Sequence, residues 1–88
     1  MKKLTTGEVN LMKKYNITDV EAPATETVSN LFSGVEVKVN QAGKHIFNLV
    51  IGMQAQYDSG IKINVSEFDR LRYLFLKLWP NAYYDLLD

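Results

Sequence analysis

Residues 33–40, SGVEVKVN, return twenty-six positions later as SGIKINVS at residues 59–66. Each copy opens on a Ser-Gly pair, alternates β-branched with polar residues, and closes on a residue suited to cap a helix. The pattern constrains the chain because Val35, Val37 and Val39, like Ile61, Ile63 and Val65, share one face of a strand with period two. It predicts strands over about 35–39 and 61–65, each leading into a helix. A helix between two strands of one sheet points to parallel pairing through a right-handed crossover. In that arrangement Glu36 and Lys38 would lie near Lys62 and Asn64 across the ribbon. Two strands alone form a poor sheet, so they are expected either to pack as a ribbon on the helices or to gain partners from another subunit.

Size favours an added partner. Eighty-eight residues with 47% hydrophobic and 23% charged content describe one domain, 1–88, of ordinary composition. A domain this short buries only about 60–65% of the surface its unfolded chain exposes. The sequence contains no cysteine, so neither disulfides nor a thiolate metal site can supplement the core. Self-association or docking onto a larger assembly would do so.

The formal net charge is zero but unevenly placed. Lys2, Lys3, Lys13 and Lys14 are opposed only by Glu8 in the first segment, and the stretch carrying Asp19, Glu21, Glu26 and Glu36 has no basic residue. Solvated surface accounts for both segments better than a nucleic-acid or membrane patch. Lys2 and Lys3 precede a polar stretch instead of an apolar signal core, and the apolar window at 46–53 is too short to cross a membrane. A cytoplasmic location is expected, with a place in a virion as the other setting. Usage of eight Lys against two Arg, with seven Asn, suggests an AT-rich coding source such as a low-GC bacterium or a phage.

Thr5-Thr6-Gly7-Glu8 has the form of a capping box, which predicts a helix to Tyr15 with Asn16 as a left-handed terminator. Farther on, Val28, Leu31 and Phe32 at i, i+3 and i+4 suit a second short helix ended by Ser33-Gly34. Asn40 is expected to cap a helix over about 41–58 whose core stripe is Ala42, Ile46, Leu49, Val50, Met53 and Tyr57. Ser66 is expected to cap another over about 67–79, with Phe68, Leu71, Phe75 and Leu78 facing the core and Leu74, Leu76 and Trp79 widening that face. Pro80 should interrupt it and start a short terminal turn or helix that folds Tyr83, Leu86 or Leu87 back onto the core. The fold class is α+β, mostly helical, with an all-α bundle as the alternative.

Several positions exceed what such a fold requires. Between Lys44 and Asp58 the helical pattern carries no formal charge, and Phe47 and Ile51 lie about 100–140° from the centre of its core stripe. A helix sandwiched between the N-terminal segment and the C-terminal helix explains them better than a patch covered only in a complex. Gly52 inside the same helix would permit close approach of another backbone. Arg72 falls within the apolar arc of the last long helix, where it must lie over a ring, pair with a carboxylate such as Asp69, or reach the edge. With Tyr73 and Trp79 it has the composition of an interface hot spot. The candidate protein interface is therefore Phe47, Ile51, Gly52, Arg72, Tyr73 and Trp79.

Catalytic chemistry has little to use. There is one histidine, His45, at the edge of a core stripe, and no cysteine or recognisable serine nucleophile. Glu67 and Asp69 point about 200° apart on a helix, and no metal-ligand spacing or phosphate-cradling glycine loop occurs. No enzyme, metal, cofactor or small-molecule substrate is expected. A basic accessory role would use Lys2, Lys3, Lys13, Lys14 and Arg70 with Arg72 and Tyr73 on nucleic acid, although a pI near 6.6 weighs against it. A helix-turn-helix does not fit, because the helices are separated by strand-like segments. The leading expectation is a noncatalytic interaction or assembly module, of phage or viral type, that self-associates or docks on a larger assembly. A nucleic-acid-binding accessory protein and a small inhibitor of a larger protein are the alternatives.

Overall fold

Three side-chain caps set where the long elements begin. Thr5 accepts the Glu8 N–H through its hydroxyl at 3.2 Å, and Glu8 accepts the Thr5 N–H at 2.8 Å, so the expected capping box is present. Asn40 Oδ1 accepts the Gly43 N–H at 2.9 Å, and Asn64 Oδ1 accepts the Glu67 N–H at 3.1 Å. The computed structural model describes residues 3–30 and 32–87. Its elements are α1 (Thr6–Lys14), β1 (Glu26–Ser29), β2 (Glu36–Val39), α2 (Gln41–Asp58), α3 (Val65–Leu78) and α4 (Pro80–Leu86). The fold is α+β and mostly helical, with one two-stranded sheet.

The sheet differs from the expected one in both membership and direction. β1 and β2 pair antiparallel, with Val28 opposite Val37 and Glu26 opposite Val39. The segment around Val28 is thus a strand, not the short helix that its i, i+3, i+4 spacing suggested. Three apolar positions are weak helical evidence, and a neighbouring β-branched strand offers Thr27 and Val28 a ladder that a lone turn of helix cannot match. A loop built on Asn30 closes the hairpin: its N–H donates to Val35 O at 2.8 Å, and its side-chain oxygen accepts the N–H groups of Phe32 and Ser33. Leu31, which the helical spacing also used, lies outside the described residues.

The second predicted strand, 61–65, does not form. Gly60 takes φ +83°, and the N–H groups of Gly60 and Ile61 donate back to Tyr57 O and Gln56 O at 3.0 and 2.8 Å. This double closure ends α2 as a Schellman motif. Residues 61–64 then connect directly to α3, which starts at Val65, two residues before the expected 67, because Asn64 and not Ser66 is its cap. With β1 and β2 joined as a hairpin, no strand lies beside 61–64 among the described residues, and the expected crossover does not form there.

The core follows the helical stripes. Ile46 and Val50 of α2 meet Leu71, Leu74 and Phe75 of α3, and all five are essentially excluded from solvent with Val39 of β2. Side chains of this size contribute about 1.5–3 kcal/mol each on burial. α4 packs on α3 and β2, burying Ala82 and Leu86, while Tyr83 and Leu87 are half-buried. α1 lies on α3 through Leu11 and through ion pairs at its two ends, Glu8–Lys77 at 2.8 Å and Lys14–Glu67 at 2.7 Å. Asn16, at φ +56°, ends α1 as anticipated.

Candidate interaction surface

The stripe of α2 fades along its length. Ala42, Ile46 and Val50 are buried, Leu49 and Met53 are half-buried, and Tyr57, expected in the core, is 60% exposed. Ile61 and Val65, which flank the connector to α3, are 55% and 53% exposed. Tyr57, Ile63, Val65 and Phe68, with Gln54 and Asp69, line a shallow groove of about 180 Å³. The corner between α2 and α3 therefore presents an apolar surface with polar residues at its rim. Alternation in 61–65 gave the signal, although a strand pattern does not reveal that its apolar face lacks a covering layer.

The residues expected at an interface do not converge on one surface. Phe47 is buried, with its ring centroid 6.4 Å from that of Phe75, and Ile51 is half-buried. The helix packs against α3, as expected, but its other neighbours are β1 and β2 in place of the N-terminal segment, and Phe47 presents no surface patch. Trp79 packs its ring 5.5 Å from Phe75 and lies over Gly43, where an added Cβ would come within 3.2 Å of the indole and 2.9 Å of Val39. Gly43, not Gly52, is thus the glycine that permits close packing within the chain. Gly52 is exposed, with open space where a side chain would stand.

Arg72 meets all the conditions its position imposed. Its guanidinium lies 5.6 Å from the Phe68 ring centroid, donates to Tyr83 Oη at 3.0 Å, and approaches Asp69 at 4.0 Å. It joins α3 to α4 and is already engaged. Tyr73, by contrast, is 63% exposed. His45 is exposed at its ring, and its Nε2 lies 2.8 Å from Tyr15 O, joining α2 to the end of α1.

The basic candidates are similarly dispersed. Lys2 lies outside the described residues. Lys3 and Lys13 are exposed, and Lys14 pairs with Glu67, which also accepts from the Tyr15 hydroxyl. Arg70 and Tyr73 line a groove of about 510 Å³ between α1 and α3, but Glu8, Asp69 and Lys77 line it too. Burial would push the Glu8 carboxyl up, yet hydrogen bonds from Lys77 and Thr5 and the Lys77 charge outweigh it and hold the carboxyl below its ordinary value. The groove is consequently balanced in charge and pinned by an ion pair. Among the described residues, no three His, Asp or Glu side chains gather as a metal-binding set, and no helix is long and apolar enough to cross a membrane. No family model matches the chain, and neither a curated protein nor a solved structure matches it.

Proposed function

We propose that this chain is a noncatalytic protein-interaction module that associates with itself. The observation that carries the reading is the exposed Tyr57 and Val65 lining the α2–α3 groove, together with the exposed Ile61 of the connector between those helices. A small core leaves little reason to expose three large apolar side chains in one helix–connector–helix segment, and covering them would add stability to the isolated chain. Phe32, fully exposed on the hydrogen-bonded hairpin loop, is a second apolar feature available to a partner. The nucleic-acid alternative has less support, because acidic side chains share the groove that gathers Arg70 and Lys77.

Analytical ultracentrifugation of the full chain, from micromolar to millimolar concentration, tests the reading. A reversible, concentration-dependent increase in mass is expected. A strictly monomeric species over that whole range would remove self-association.

A further inference from the structure

Resting on the self-association reading, we infer that Phe32 of one copy seats its ring in the α2–α3 groove of another, so that hairpin loop and groove are two halves of one contact. The loop is built to present the ring. Asn30 Oδ1 accepts the Phe32 and Ser33 N–H groups at 2.8 and 3.0 Å, and the Ser33 hydroxyl accepts the Val35 N–H at 3.3 Å. The Asn30 Nδ2 donates to Asp85 O at 2.9 Å and ties the loop to α4. Phe32 is nonetheless fully exposed, whereas Phe47 and Phe75 are buried and Phe68 is half-buried. An aromatic side chain held out on an ordered loop loses little conformational freedom on docking.

The groove suits such a ring. About 150 Å³ of apolar space accommodates a benzene ring, and the groove of about 180 Å³ has Tyr57, Ile63, Val65 and Phe68 as its apolar walls. Phe32 of the same chain does not line it, so ring and groove stay apart within one copy. The surroundings of the two are complementary in charge. Glu36 and Lys38 follow the loop along β2, and Asp58 and Lys62 flank the groove; all four are exposed, and none forms an ion pair among the described residues. Docking with Glu36 toward Lys62 and Lys38 toward Asp58 pairs opposite charges on both sides of the ring. A second copy is the occupant these features select, because ring, groove and matching charges are carried by one chain. The area sets the strength: an aromatic ring buries about 150–250 Å², and with the groove walls the contact falls below the ~1,200 Å² of a stable interface, so association is weak and concentration-dependent.

Sedimentation of two variants of the full chain, separately and mixed, tests the contact. Phe32→Ser removes the ring from a fully exposed position. Val65→Asp sets a carboxylate in the groove at the first residue of α3, where negative charge suits the helix, so both variants should fold as the parent does. Each alone should self-associate with Kd raised roughly 30-fold or more, the loss expected of an interface hot spot. An equimolar mixture keeps one intact ring and one intact groove, and should form a 1:1 heterodimer at concentrations where each variant alone is monomeric. Parent-like association of either variant, or a mixture no heavier than its components, would overturn the contact and leave self-association intact; loss on Val65→Asp with Phe32→Ser silent would mean that two grooves meet. A strictly monomeric parent chain would overturn both.

Discussion

The two copies of the repeat start alike and end differently. Each enters its extended stretch through a left-handed glycine, Gly34 at φ +76° and Gly60 at φ +83°, and each delivers an asparagine that caps the next helix. In the first copy Val39 is fully buried, and in the second the equivalent Val65 is half-exposed. The difference arises from what precedes each copy. Residues 26–29 are β-branched enough to fold back as β1, whereas the residues before Ser59 are committed to the eighteen-residue helix α2. Strand preference in a sequence is thus a demand for a partner, and among the described residues that partner is supplied once.

The caps offer the largest contrast between the copies. Asn40 is buried; besides capping α2, its Nδ2 donates to Val20 O and Ala22 O, both at 3.0 Å. Asn40→Ala should therefore cost about 2–4 kcal/mol in urea unfolding, because it removes a cap and strands carbonyl groups of the α1–β1 connection. Next, Gly43→Ala forces a Cβ against Val39 and the Trp79 ring, and should lower stability by about 1–2 kcal/mol after alanine's better helix preference is subtracted. In the second copy, Asn64→Ala loses an exposed cap only and should cost about 1 kcal/mol. Equal losses at Asn40 and Asn64 would break the distinction between an embedded copy and a peripheral one. The smallest effect has the opposite sign: Gly52→Ala, in an exposed helix interior with open space beside it, should raise thermal stability by about 0.5–1 kcal/mol.

What the sequence made legible follows the range of the interactions involved. Caps and helical stripes act within a few residues, and the boundaries of α2, the capping box at Thr5 and the left-handed Asn16 were all readable from the chain. Pairing acts over longer separations. Val28 reads locally as helix, and only Val37, nine residues on, makes it a strand. The α3 start shifted because Asn64 and Ser66 are both good caps, and the earlier one prevailed. The interface candidates were chosen by angular position on a helical wheel, which cannot report that α3 lies over Phe47 or that Trp79 rests on Gly43. The exposed corner was hidden for the converse reason: its residues look like strand and core, and only the folded arrangement uncovers them.

Amide hydrogen exchange, resolved by residue and followed from dilute to concentrated protein, tests most directly the claim that one copy is embedded in the fold and the other is peripheral. The β2 amides in the ladder with β1 should be protected at every concentration. Lys62 and Ile63, whose N–H groups have no acceptor among the described residues, should exchange freely when the protein is dilute. Free exchange of the β2 ladder amides, or protection of Lys62 and Ile63 already at high dilution, would contradict the account.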